Sequence, residues 1–201
     1  MGVIILGSGS FAREVYDWAT AANKEVIGFF SGVLAEQKTL RGLPIYYDVN
    51  LVPTGSTWII GTGNPKAMLA MRKLVDGRIP PSTAVIHPSC IIGSNVSIGA
   101  GSVVCPGTIL TCDITVGESV AINIGCTIGH DTQIGSHVHL SPNTSLSGNT
   151  QIGDQCEMGT GSSTNPGVVV PSNTIIGAGT VVNKSLEESG VYVGIPAKKI
   201  K

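Results

Sequence analysis

The chain has 201 residues, of which 42% are hydrophobic and 12% charged, and its formal net charge at pH 7 is −1. No apolar run approaches the roughly 20 residues of a membrane-spanning helix, and the first residues lack the basic segment of a signal peptide, so we expect a soluble, cytoplasmic protein. Five cysteines without a C-x-x-C pair argue against a disulfide framework or a zinc knuckle.

Residues 1–78 predict a small α/β domain of the Rossmann-like type. Residues 3–6 are an apolar run typical of a buried strand, and the glycine-rich turn Gly7-Ser8-Gly9 leads into a helical stretch at 14–22. A glycine turn before a helix is a ready anion site, because unpaired backbone N–H groups and the helix dipole point at the ligand. Such a turn also occurs as plain structure, so it leaves a ligand role open.

A second strand is expected at 25–30 and a third at 58–60, the latter followed by the loop Gly61-Thr62-Gly63-Asn64 and a helix at 66–75. In a doubly wound sheet both loops lie at the carboxyl edge, where ligands bind. The second strand ends without the Asp or Glu that usually holds a ribose in dinucleotide-binding folds, which disfavours redox use of NAD. Residues 79–85, with two prolines, form the predicted linker.

From Ile86 to Val182 an aliphatic or near-aliphatic residue recurs at every sixth position. This period fits neither a helix nor an ordinary strand, and it predicts an all-β parallel β-helix of hexapeptide repeats over residues 86–183. Three hexads make a coil of about 18 residues, so residues 18 apart should stack about 4.8 Å from each other. Glycine follows the repeated residue eight times, and we expect a positive φ there: Gly93, Gly99, Gly117, Gly129, Gly135, Gly153, Gly159 and Gly177.

No lysine or arginine occurs between Ile79 and Asn183. A solenoid without cations cannot neutralise nucleic-acid phosphates, so we expect no nucleic-acid partner. Positive charge returns in the tail, residues 184–201, whose lysines would have to meet any phosphate-bearing ligand of the late coils. Lys198 and Lys199 are the candidates for this role.

All four histidines fall on the predicted solenoid, and His130 is followed by Asp131. A neutral imidazole is the natural proton acceptor at pH 7, which makes His130 a candidate general base. Two alternatives stay open. Cys112 should stack under His130 and could carry an acyl group, and the group His130, His137 and His139 could bind zinc.

The order of parts resembles one family: a small α/β domain, a linker into Ile86-His87-Pro88-Ser89, uninterrupted hexapeptide repeats, and a tail Val193-Gly194-Ile195-Pro196-Ala197-Lys198. This resembles the bacterial sugar acyltransferases that include nucleotide-linked amino-sugar N-acetyltransferases and sialic-acid O-acetyltransferases. The resemblance implies a left-handed β-helix, a homotrimer and acetyl-coenzyme A as donor, with no metal.

The resemblance also implies site residues. His130 would be the catalytic base and Asp131 would orient it. The remaining matches are cofactor contacts at His139, Gly148, Thr160 and Ala178, and substrate contacts at Gly9, Ser10, Phe11, Ser31, Gly32, Gly63 and Asn64. Phe11 stands where one member has histidine, and Ser31 and Gly32 replace acidic residues, which leaves the nucleotide and the sugar open. His137 could line a subunit interface.

We therefore expect transfer of an acetyl group from acetyl-coenzyme A to the amino group of a nucleotide-linked amino-deoxy sugar, for bacterial surface glycan or glycoprotein synthesis. One alternative is O-acetylation of sialic acid or a related sugar, since His130 would serve an amine or a hydroxyl equally. An alternative of another class is a non-catalytic or zinc-dependent β-helix assembly in which the first domain docks a partner.

Overall fold

The computed structural model describes residues 2–201 and begins with a mostly parallel sheet flanked by two helices. Its elements are β1 Val3–Leu6, α1 Ser10–Ala21, β2 Val26–Phe30, β3 Thr39–Leu40, β4 Leu43–Tyr46, a 3-10 turn Val49–Leu51, β5 Thr57–Ile60 and α2 Pro65–Val75. The strand order is β3-β4-β2-β1-β5, and only the β3–β4 hairpin is antiparallel. β1 lies between β2 and β5, and the apolar residues of β1 and β5 are buried on both faces, as is typical of parallel strands.

The rest of the chain is a parallel β-solenoid of short strands. They are β6 Val85–Ile86, β7 Ile91–Ile92, β8 Val96–Ile98, β9 Val103–Val104, β10 Ile109–Leu110, β11 Ile114–Val116, β12 Ala121–Ile122, β13 Thr127–Ile128, β14 Gln133–Ile134, β15 His139–Leu140, β16 Ser145–Leu146, β17 Gln151–Ile152, β18 Glu157–Met158, β19 Ser163–Thr164, β20 Val169–Val170, β21 Ile175–Ile176, β22 Val181–Val182, β23 Val191–Val193 and β24 Lys198–Lys199. The parallel β-solenoid predicted from the period of six is thereby confirmed.

From β6 to β22 every third strand joins the same sheet, so the solenoid is a three-sided prism. Sheet I contains β6, β9, β12, β15, β18, β21, β23 and β24; sheet II contains β7, β10, β13, β16, β19 and β22; sheet III contains β8, β11, β14, β17 and β20. Strand partners are 18 residues apart, as Ala121 shows by pairing with Val103 and His139. The repeated residue is buried at every position from Val104 to Val182 and fills the interior.

The glycines that follow the repeated residue do not have the positive φ that the sequence suggested. They are required by the close approach of successive coils: a Cβ added to Gly129 would lie 2.5 Å from the backbone nitrogen of Gly148. The positive φ falls two residues later, for example at Asp131 with φ 56°. Asparagine and aspartate tolerate this left-handed conformation, which explains why they are frequent at these corners.

The first domain lies on the outer face of sheet I at its first coils. Val85, Val103 and Ala121 point outward from that sheet and belong to the same buried cluster as the core of the first domain. The amide of Ile60 in β5 donates a hydrogen bond of 2.9 Å to the Gly101 carbonyl. The first coils of sheet I are therefore covered, whereas its later strands are exposed, as Ile175 shows, and the first domain leaves sheets II and III open.

Among residues 2–201, no helix combines the length and the apolarity that crossing a bilayer requires.

Candidate active site

His130 occupies the corner of the prism between sheets II and III, in the turn that joins β13 to β14. Its Nδ1 lies 2.7 Å from Oδ2 of Asp131, and both side chains are more than half exposed, at 59% and 55%. When Nδ1–H donates to this carboxylate, the lone pair of the imidazole is on Nε2. The corner thus holds an accessible imidazole whose orientation is fixed by the next residue.

Gly148 lies one coil further on, directly against the free side of this imidazole. A Cβ added to Gly148 would be 2.6 Å from His130 Nε2, and the two coils are joined by a 2.8 Å hydrogen bond from the Asn149 amide to the His130 carbonyl. No hydrogen bond within residues 2–201 is donated by the Gly148 N–H. The missing side chain leaves room for the imidazole to lie against this coil beside a free backbone donor, and a free N–H next to a base can stabilise a developing oxyanion.

Cys112 lies one coil before His130, as the 18-residue spacing predicts. A hydrogen bond with Asp113, assisted by the negative charges of Asp113 and Asp131, raises the pKa of the Cys112 thiol. Nucleophilic cysteines need the opposite, because the thiolate is the reactive form. The electrostatics of this corner therefore disfavour an acyl-cysteine route.

A cavity of about 320 Å³ opens at the carboxyl ends of β1, β2 and β5. It brings together six of the seven predicted substrate residues: Gly9, Ser10, Phe11, Ser31, Gly32 and Gly63. Gly9 is the N-cap of α1 and has no side chain to accept a hydrogen bond. The first N–H groups of this helix, on the side of the cavity, are therefore not capped by a side chain. The sequence analysis had missed Val33 and Met71, which also line it; Val33 directly follows predicted contacts, whereas Met71 gives no local signal.

Asn64, the seventh predicted substrate residue, does not line this cavity. Its side-chain oxygen accepts a 3.0 Å hydrogen bond from the Ala67 amide and caps α2. It borders a neighbouring groove of about 300 Å³ between α2 and the solenoid, together with Lys66 and Glu157. Burial raises the pKa of Glu157 in that groove.

His139 points outward from sheet I into the contact between the domains. A Cβ added to Gly63 would lie 2.7 Å from the His139 ring, and the ring centroid is 6.0 Å from that of Phe11. Burial lowers the pKa of His139 to about 4, so the ring is neutral at pH 7. Because sheet I is opposite the corner of His130, one chain does not bring His130 and His139 into one site.

His137 is buried within its own chain. It is 6% exposed, its amide donates to the Glu118 carbonyl, and Glu118 forms a 3.0 Å ion pair with Arg72 of α2. It therefore lies beneath the contact between the first domain and the solenoid, which corrects the expectation of a subunit-facing residue. Burial and the positive charge of Arg72 lower the pKa of His137.

The three histidines considered as zinc ligands lie on different sides of the prism. His130 is at the corner between sheets II and III, His137 at the corner between sheets III and I, and His139 on sheet I. Among residues 2–201 no three His, Cys, Asp or Glu side chains are grouped to hold a metal ion. The three histidines are close in sequence, but the fold does not bring their side chains together into a zinc site.

The remaining predicted cofactor contacts lie away from His130. Thr160 and Ala178 stack at the corner between sheets I and II, where the Gly179 amide donates to the Thr160 carbonyl at 2.8 Å. Lys199 Nζ is 2.9 Å from a Glu188 oxygen, so its charge is already paired, whereas Lys198 is exposed and forms no ion pair within residues 2–201. The structure therefore favours Lys198 over Lys199 as a phosphate contact.

No family model and no curated protein matches the sequence. Solved structures do match over the whole chain. The acetyltransferase domain of PglB from Neisseria gonorrhoeae is 23% identical with a TM-score of 0.90, and the match covers 99% of each chain. PerB from Caulobacter crescentus, a perosamine N-acetyltransferase solved with CoA and GDP-perosamine, is 29% identical with a TM-score of 0.89 over 98% of this chain and 96% of PerB.

WeeI from Acinetobacter baumannii is 27% identical with a TM-score of 0.88, and both chains are covered completely. The PglB domain has also been solved in complex with acetyl-coenzyme A. The match to PerB confirms the resemblance to bacterial sugar acyltransferases that the sequence predicted, and the PglB domain shows the same fold.

Proposed function

We propose that the protein transfers an acetyl group from acetyl-coenzyme A to the amino group of a nucleotide-linked amino-deoxy sugar. The observation that carries this proposal is the His130–Asp131 pair facing Gly148, in a chain similar from end to end to an N-acetyltransferase that binds CoA and GDP-perosamine. In this proposal the first domain is Rossmann-like and holds the nucleotide, and the solenoid is left-handed and holds the donor.

The corner residues have the chemistry that acetyl transfer needs. As the sugar amine attacks the thioester carbonyl, His130 Nε2 takes a proton from the nitrogen, and Asp131 orients the ring and stabilises its positive charge. The Gly148 N–H donates to the oxyanion, a contribution worth ~3 kcal/mol in other acyl transfers. Collapse of the intermediate breaks the carbon–sulfur bond, and the proton held on His130 Nε2 passes to the leaving sulfur, so coenzyme A leaves as the thiol and the base is regenerated.

The active site is composite, formed by two subunits of a homotrimer. In a single chain the nucleotide cavity lies on the side of sheet I, whereas His130 lies at the opposite corner. A neighbouring chain would supply the missing half of each site, and three chains around one axis close this arrangement. Sheet II remains open to such a neighbour, and its outward Ile91 and Ile109 are exposed apolar side chains.

The donor would run along the groove between neighbouring solenoids. Gly148 of one chain would contact the thioester, and His139, Thr160 and Ala178 of the neighbouring chain would face it across the groove, with His139 at the acetyl end and Thr160 and Ala178 along the pantetheine arm. Lys198 would meet a phosphate, because it is an unpaired cation beside the late coils. Since acetyl-coenzyme A and nucleotide sugars are cytoplasmic metabolites, we assign the reaction to the cytoplasm and its product to surface glycan or glycoprotein synthesis.

The direct test is an assay of thiol release from acetyl-coenzyme A with a panel of acceptors. We expect turnover with nucleotide-linked amino sugars and none with free sialic acid. Turnover with sialic acid alone would favour O-acetylation, and no turnover with either class would contradict the proposed function.

The composite site is tested by mixing two inactive chains. His130→Ala removes the base, and Gly9→Trp fills the nucleotide cavity, since a Cβ at Gly9 meets no atom within 4 Å. Each site would take its cavity from one chain and its base from a neighbour. In randomly mixed trimers both halves are intact only when the cavity comes from a His130→Ala chain and the base from a Gly9→Trp chain, so co-expression should restore about a quarter of the wild-type rate. A site contained in one chain predicts no recovery.

A further inference from the structure

The loop that follows β2 offers a nucleotide no carboxylate and no free side-chain hydroxyl. Ser31, Gly32 and Val33 make up this part of the cavity wall. In doubly wound sheets the phosphates lie at the N-terminus of the first helix, and an acidic residue after the second strand accepts a hydrogen bond from the ribose 2′-OH. By that topology the Ser31–Val33 loop is where the pentose of a bound nucleotide would lie.

Ser31 cannot replace the missing carboxylate. Its Oγ donates to the Val33 carbonyl at 3.0 Å and accepts from the Val33 amide at 3.3 Å, and the residue is only 7% exposed. Gly32 has no side chain, and a Cβ there would lie 2.7 Å from Leu74 Cδ1 of α2. The two residues are thus occupied in shaping the loop.

Val33 presents an apolar side chain at the rim of the cavity, and it is 76% exposed. The wall beside this loop continues with Phe11, Ala67 and Met71, whereas the hydroxyls of Ser8, Ser10 and Thr62 belong to the segments that follow β1 and β5; none of the residues lining the cavity carries a formal charge. Desolvating a hydroxyl or an N–H against such a wall without a partner costs free energy. A ligand that buries fewer donors here therefore binds better.

This cavity suits a 2′-deoxynucleotide with an apolar base edge. Thymidine lacks the 2′-OH that would need an acceptor at the Ser31–Val33 loop, and its 5-methyl group adds apolar surface. Uridine has the hydroxyl and lacks the methyl, and guanine adds N–H donors for which the wall has no carboxylate. We infer that the amino sugar is carried on thymidine diphosphate, an inference that rests on the proposed function and specifies its substrate class.

The test is calorimetric binding of four nucleoside diphosphates to the wild-type protein: dTDP, dUDP, UDP and GDP. We expect dTDP to bind most tightly, dUDP to follow, and UDP and GDP to bind at least about tenfold more weakly than dTDP, the scale that one methyl or hydroxyl contributes to discrimination. UDP or GDP binding within threefold of dTDP would overturn the inference and leave the proposed function standing. If none of the four binds, both fail.

Two neighbouring substitutions locate the discrimination. Val33→Asp adds a carboxylate at the cavity rim that can accept from a ribose 2′-OH, so the preference for dTDP over UDP should fall about fivefold, the value of one hydrogen bond. Leu34→Asp is the matched control, because Leu34 is 77% exposed but does not line the cavity; it should keep the wild-type preference. Equal preference ratios in both variants would contradict the placement of the pentose at Val33.

Discussion

His130 and His139 lie nine residues apart in one coil of the solenoid, yet one side chain is exposed and the other is buried. His130 is at an open corner, paired with Asp131, and its free nitrogen faces Gly148. His139 is on the covered part of sheet I, pressed against Gly63, and burial lowers its pKa to about 4. Cover by the first domain decides whether a histidine of this solenoid is open to a reactant, since His137 also lies at a corner and is buried.

The strongest test of this contrast is His130→Ala. Loss of a general base should lower turnover about 10³-fold and leave affinity for coenzyme A nearly unchanged, because the base acts on the transition state. Steady-state thiol release and calorimetry measure the two effects. His87→Ala is the control, since His87 is at another corner of the same solenoid and bonds only to Ser89; it should keep wild-type activity. A loss of only a few-fold in His130→Ala would refute the assignment.

Gly148→Ala tests the space beside the base. Its methyl group would lie 2.6 Å from His130 Nε2, so the ring must move or the reactant must give way. Because Gly148 does not have a positive φ, alanine fits the backbone and the fold should be retained. We expect kcat to fall about 10²-fold, because displacing a reacting group by about 1 Å costs that much, with an unchanged thermal midpoint. Wild-type kcat would show that this space is not used.

The covered side is tested by pH. His139 has a pKa of about 4 when folded and an ordinary value of 6.5, so between these values the unfolded chain binds more protons. Protonation of His139 in the unfolded chain therefore lowers the free energy of unfolding by about 3 kcal/mol as pH falls from 6.5 towards 4, and this loss is absent above pH 6.5. His139→Gln should flatten the dependence of urea unfolding on pH in this window. Gln133→Asn, an exposed substitution that changes no titratable group, should keep the wild-type slope; equal slopes in all three proteins would contradict the burial argument.

The smallest expected effect concerns the tail. Lys198→Gln should raise the KM for acetyl-coenzyme A two- to threefold at low salt and not at high salt, because exposed charges are screened within roughly 8 Å at physiological ionic strength. Lys199→Gln is the paired control, since Glu188 already neutralises that lysine, and it should change the KM less. If the two variants shift the KM equally, the Glu188 pair does not distinguish them.

The solenoid could be predicted from the sequence because each coil contacts only its neighbours. The spacing of 18 correctly placed Gly148 against His130 and Cys112 one coil before it. The period also predicted which side chains fill the interior, since each hexad repeats the same local contacts. Contacts of this kind depend only on neighbouring residues and coils, so the local sequence is enough to predict them.

Features that depend on distant contacts escaped the sequence analysis. His137 is buried because α2 lies over it, and no local pattern around His137 encodes that contact. Asn64 follows a glycine-rich loop like a ligand residue, yet its side chain caps α2. The glycine after the repeated residue suggested a positive φ, whereas the distance to the next coil is what excludes a side chain at Gly129.

β24, two lysines laid antiparallel on β23, closes the end of sheet I. Open strand edges recruit further strands, whereas short edge strands carrying lysine resist such pairing. At the opposite end β7 and β8 pair on one side only, and Ile91 is 62% exposed. A stack of coils has no intrinsic limit on its length, so β24 acts as a terminator that keeps one molecule from becoming the template for a fibre.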